Sequence, residues 1–178
     1  MPTPTLADLL LEYDRALAYT DSLVDGLTPE QIAWRPSEES SAIGWHLGHQ
    51  AAVAHYMVRN LTAAEPRIDP AIDELMDSAT PERDRGELPP LDRVLEYRSV
   101  VAERVRIRIG QIDAGEVGAP AQLRLVATNL LTAIVNHEYQ HSTWIGELRA
   151  DPFGLPAPPV PASPWLMVVE GYPIIATH

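Results

Sequence analysis

Apolar residues return at helical intervals in four long stretches of this chain. The first covers residues 5–24, where Leu6, Leu9, Leu10, Tyr13, Leu17 and Val24 recur at that spacing. Thr3 followed by Pro4 offers a hydroxyl cap and a first-turn proline, and Gly26 offers a stop. Thr28-Pro29-Glu30-Gln31 has the form of a capping box and predicts one short helical turn before Pro36. The second stretch, 41–61, is marked by Ile43, Leu47, Val53, Met57 and Leu61, with Ser40 or Ser41 as its expected cap. The third, 91–112, carries Leu91, Val94, Val101, Val105 and Ile109 and is broken by Gly115, Gly118 and Pro120. The fourth, 122–148, carries Leu123, Val126, Leu130, Ile134, Ile145 and Leu148.

Residues 62–90 break the pattern with Pro66, Pro70, Pro81, Pro89 and Pro90, many acids, and one short predicted helix at 72–77. So long a connection permits a crossover between helices that are not antiparallel neighbours. The last segment is rich in proline, and its apolar stretch 165–169 is expected to lie across the helices. The reading is an all-α fold: a four-helix bundle over 1–150 with a long crossover connection, and an irregular Pro-rich C-terminal tail, 151–178, packed on it.

Composition agrees with this. Hydrophobic residues make up 46% of 178 positions, yet there is a single Phe, so the core must be mostly Leu, Val, Ile and Ala. The absence of cysteine excludes disulfides, thiolate ligands and a cysteine nucleophile, and fits the cytoplasm. The start, Met-Pro-Thr-Pro-Thr, has neither a basic nor an apolar leader region, so no signal peptide is expected. No apolar run is long enough to span a bilayer. The net charge of −12 repels phosphate backbones and anionic membranes, so neither nucleic acid nor membrane is an expected partner.

The chemistry is carried by histidine. His137 and His141 stand at i and i+4 on the face that also carries Leu130, Ile134, Ile145 and Leu148. Two imidazoles on an apolar face are costly to bury unless something satisfies them, and one divalent metal ion can take both. Trp45-His46-Leu47-Gly48-His49 supplies a third ligand from the second stretch. His46 or His49 can fill that role, and the small flanks Gly48 and Ala52 favour His49. Three neutral imidazoles leave a coordination position open, as catalytic sites do.

His137 to His141 also spells H-E-x-x-H, in which Glu138 would act as a general base. The extended protease form needs Gly at 144 and His at 147, where this chain has Trp144 and Glu147. Glu138 is therefore a candidate catalytic residue, with orientation of a ligand or plain surface exposure as its other readings. Trp45, Tyr56, Tyr13 and Arg98 are candidates for a substrate pocket, Arg98 as a carboxylate clamp or as a snorkelling side chain. His55 and His178 are read as incidental.

Four segments together carry a family resemblance. They are Gly26 to Gln31, Trp34-Arg35-Pro36, the run from Ser41 to His49, and His137-Glu138-Tyr139-Gln140-His141. In order and spacing the chain resembles the DinB/YfiT-like metalloenzymes, particularly the DinB_2 branch, over about its first 150 residues. The resemblance implies a four-helix bundle with a crossover, often dimeric, holding zinc, nickel or iron on His49, His137 and His141. Relatives include thiol S-transferases that use bacillithiol or mycothiol and a mycothiol-dependent maleylpyruvate isomerase. The two histidine motifs are also similar to the N-terminal domain of the ergothioneine-pathway sulfoxide synthases, whose large second domain is not expected in this chain.

The leading functional expectation is a metal-dependent transferase, or related enzyme, acting on a small-molecule substrate with a low-molecular-weight thiol as cosubstrate. A non-heme iron or other metal-dependent oxidation, isomerisation or hydrolysis is the alternative within enzymes. A non-catalytic metal-binding or stress-response module is the alternative outside them.

Overall fold

Local hydrogen bonding decides where each helix begins. In the computed structural model, which describes residues 3–61 and 65–175, helix α1 runs over Leu6–Val24. Its cap is Thr5 rather than Thr3. The Thr5 hydroxyl accepts the Asp8 N–H at 3.2 Å and the Asp8 carboxylate accepts the Thr5 N–H at 2.9 Å, so a reciprocal box outcompetes the lone hydroxyl upstream. Thr28 and Gln31 form the second expected box and open α2, Pro29–Ala33.

Helix α3, Ile43–Arg59, departs from the expected serine cap: Ala42 occupies that position without a side-chain bond. The two hydroxyls are engaged in loop contacts instead, Ser41 accepting from Arg85 at 2.7 Å and Ser40 pairing with Ser37 at 2.8 Å. Asp69 caps α4, Pro70–Leu75, two residues earlier than the apolar pattern suggested, by accepting the N–H groups of Ala71 and Ile72. A 3-10 turn at Glu82–Asp84 leads to α5, Leu91–Ala114. Pro120 does not break the chain before α6 but starts it at the first helical position, where no N–H is needed. Helix α6 then continues through Phe153 to the left-handed Gly154.

Side-chain contacts set the helix directions. Along α1 and α6, Glu12 meets Tyr139, Thr20 meets Ser142 and Leu23 meets Arg149, so these two run parallel. Asp14 meets Arg106 and Asp21 meets Arg98, so α5 opposes α1. His46 meets His141 and Gln50 meets Glu138, so α3 opposes α6. Helices α3 and α5 are therefore parallel neighbours, and the connection between them is the crossover that such neighbours require. No helix among the described residues is long and apolar enough to cross a membrane.

The tail contains more regular structure than expected. β1, Leu166–Val169, pairs antiparallel with β2, Tyr172–Ile175, across Glu170 and Gly171, both at positive φ as a two-residue hairpin turn requires. Of the apolar stretch 165–169, Trp165 and Leu166 pack against the core, whereas Met167, Val168 and Val169 are exposed, Val168 by 69%, and β2 packs on α6. Asn136 fixes that contact by exchanging two hydrogen bonds with the Ile175 backbone, at 2.7 and 3.2 Å.

Candidate metal centre

Helices α3 and α6 bring His49, His137 and His141 together. One ligand atom from each lies within 4.8 Å of the others. Nitrogens around a tetrahedral ion at ~2.1 Å stand about 3.4 Å apart, so a modest contraction of this group closes on one metal. His137 and His141 come from adjacent turns of α6, their rings 4.4 Å apart, and His49 faces them from α3 at 5.1 and 4.9 Å.

Burial keeps these imidazoles neutral. Desolvation, with the neighbouring His49 next, pushes His137 down to about 4. His141 is driven far down by burial and then by His137 and His46. Burial lowers His49 as well, against the opposing pull of a hydrogen bond to Met76. Neutral rings offer the lone pairs that a metal takes, so the donor set fits a divalent ion.

Hydrogen bonds select the free nitrogens. His49 Nδ1 lies 2.7 Å from the Met76 carbonyl, which can only accept, so His49 carries its proton there and presents Nε2. His141 Nδ1 lies 2.8 Å from His46 Nδ1. For His141 to present Nε2 as a lone pair, its Nδ1–H must donate to His46. His46 thus stands behind the group and orients a ligand. Burial, followed by His49 and Arg85, pushes His46 down to about 3, in keeping with a neutral acceptor.

Two indoles shape the surroundings. Trp45 stacks on His49 at 4.4 Å and 12°, donates its Nε1–H to the Leu75 carbonyl, and carries Arg85 on its other face at 3.7 Å. Trp144 meets His141 edge-on at 4.7 Å and donates to the Tyr172 hydroxyl at 3.2 Å, tying the tail hairpin to the site. Gly48 leaves room for Met76, whose Sδ would lie 2.5 Å from any added Cβ. The end of α4 is thereby seated against α3, with the Leu75 and Met76 carbonyls accepting from Trp45 and His49.

The other candidate residues fall in different places. Tyr56 is 65% exposed and lies, with His49, on an adjoining cleft of about 460 Å³. Tyr13 and Arg98 belong to an interior polar layer. Arg98 clamps a carboxylate of this chain: its Nη2 lies 2.9 Å from Glu138 Oε1, and both side chains are buried. Glu138 also accepts from Thr20 at 2.7 Å, so it is no surface acid. Gln50 joins the layer by accepting from Arg98 and donating to the Glu138 carbonyl. Burial first, then Glu138, raises the Tyr13 phenol well above its ordinary range. His55, read as incidental, is 1% exposed with neither ring nitrogen hydrogen-bonded among the described residues. His178 lies outside the described residues.

Sequence reasoning overlooked Met76, Leu75 and Trp144. The apolar trio Ile72, Leu75 and Met76 inside an acidic, proline-rich connection was the available signal for the first two. The bundle and its three-histidine group define a helical protein equipped to bind a metal ion. The DinB superfamily model matches residues 12–145, and the chain belongs to that superfamily. A search of the curated proteins finds no match.

Proposed function

We propose that this protein is a metal-dependent enzyme acting on a low-molecular-weight thiol, in its simplest form a thiol S-transferase. The observation that carries this reading is the set of three neutral imidazoles beside a cleft that His49 itself lines. Three neutral ligands leave the charge of a divalent ion uncompensated, and a bound ion would lower a thiol pKa and favour its thiolate. The chain's own contribution is to orient. Met76 and His46 hold two ligands in the tautomers required, and Trp45 and Trp144 pack dry aromatic surface against the rings. In transfer, the sulfur would attack an electrophilic carbon, an S–C bond would form, and the leaving group would depart with the thiol proton reaching solvent.

Zinc, nickel and iron all suit histidine, and cytoplasmic residence and a homodimer belong to the same proposal. The test is consumption of a chloroalkyl electrophile by a thiol, with protein loaded with each metal and with His141→Ala. A metal-dependent acceleration lost in the variant supports the reading. A rate no faster than the protein-free reaction with every metal and a panel of thiols defeats it.

A further inference from the structure

The cleft beside the metal centre has a second polar end. His49, Ala52, Val53, Tyr56 and Arg59 line it at i, i+3, i+4, i+7 and i+10, one face of α3. His55 and Arg59, also on its wall, stand at i and i+4 and so lie one above the other. Against 25 acids, 13 arginines should all find carboxylates or carbonyls. Among the described residues, Arg59 and Arg83 alone have no hydrogen bond or ion pair, and Arg83 is exposed on the 3-10 turn whereas Arg59 is half-buried on the cleft. Beside it His55 is buried with both nitrogens unpartnered among the described residues. Two such groups on adjacent turns of one wall are built to be satisfied by something that enters.

We propose that the cleft takes a small ligand bearing a carboxylate, held by the guanidinium of Arg59 with an N–H of His55, while its other end reaches the metal centre past His49. This rests on the thiol reading for the chemistry at the inner end, and not for the recognition at the outer one. A planar fork matches a carboxylate bidentately. A multiply charged phosphate is disfavoured, because Asp73, Glu74 and Asp77 border the same cleft. The spacing restricts the ligand further. Ten residues of helix rise about 15 Å, and an arginine leaning toward the helix N-terminus recovers several of these, leaving roughly 8–10 Å between carboxylate and metal-binding atom. A cleft of about 460 Å³ accommodates a molecule of that length.

The experiment is a chemical ruler. Cobalt-loaded protein is titrated with 3-mercaptopropionate, 6-mercaptohexanoate and 8-mercaptooctanoate and with the matching mercapto-alcohols, following the sulfur-to-cobalt absorption band. The longer acids should bind about tenfold more tightly than their alcohols, and the shortest should show no such advantage. Arg59→Met should abolish the acid preference while leaving the alcohol affinities unchanged, which also certifies that the variant is folded. Arg59→Lys, which keeps charge but loses the fork, should retain only part of it, and His55→Phe should reduce it. Equal affinity of acids and alcohols in the wild type, or a preference that survives Arg59→Met, overturns the proposal. If no thiol produces the band, it is the thiol reading that has failed. Octanoate against octanol then decides recognition, read from the ring-proton NMR signal of His55. A shift caused by octanoate alone and lost in Arg59→Met supports the site, and its absence in the wild type refutes it.

Discussion

His49 donates its Nδ1 proton to the carbonyl of Met76 across 2.7 Å, a bond that ties a candidate metal ligand to the crossover connection. The carbonyl is available because Met76 ends the short helix α4, where terminal carbonyls lack intrahelical partners. The bond fixes which nitrogen His49 turns toward His137 and His141.

A ranking of metal affinity among the histidines follows. His49→Ala, His137→Ala and His141→Ala should each abolish stoichiometric binding, as measured by elemental analysis of untagged protein. His46→Phe should retain the metal with affinity lowered about 10- to 100-fold, because it removes an orienting acceptor and not a ligand. Complete loss of metal in His46→Phe, with retention in His49→Ala, would reverse the assignment of the third ligand.

Gly48→Ala probes the seat of α4. A methyl group there meets the Met76 side chain at 2.5 Å and must displace it. Overpacking of this kind costs about 1–3 kcal/mol, partly offset by the better helix propensity of alanine. Metal affinity should fall as well, since Met76 is the acceptor for His49. An unchanged dissociation constant beside a lowered melting temperature would separate packing from orientation.

The Arg98–Glu138 pair spans the interior between α5 and α6 at 2.9 Å, with both partners buried. Removing the cation alone, in Arg98→Met, leaves a buried carboxylate with Thr20 as its remaining donor and should cost about 3–5 kcal/mol in denaturant titrations. Adding Glu138→Leu to it should recover much of the loss, since the desolvation of the charges disappears with them. A double variant no better than Arg98→Met would show that the layer contributes more than its charges.

Metal-free protein should lose stability as the pH falls below about 6.5, the ordinary histidine value. In the folded state burial holds His137 down at about 4 and His46 at about 3, so the unfolded chain binds protons that the folded chain does not. The contribution is complete above the unfolded value and declines toward the folded values. Bound metal, which also requires neutral rings, should add to stability at neutral pH and be released over the same range. Thermal melts from pH 8 to pH 4.5 should show this slope, flattened in His46→Phe. A flat profile in the wild type would contradict the burial of neutral imidazoles.

Sequence alone determined the four long helices, the long interruption that permits a crossover, and the pairing of His137 with His141. Each is a local or periodic property: helical spacing of apolar residues, a proline-rich interruption, two imidazoles one turn apart. The choice of His49, with His46 one turn earlier, rested on flanking size, which only weakly orders two histidines on nearly the same face.

Tertiary structure alone decided which nitrogens face inward, because those bonds join residues distant in sequence: His49 to Met76, His46 to His141. It likewise turned Arg98 and Glu138 toward each other, and among the described residues left Arg59 and His55 without partners on the cleft wall. Periodicity states which face of a helix is buried. What a polar group on that face meets depends on the neighbouring element, and that is settled only when the helices pack.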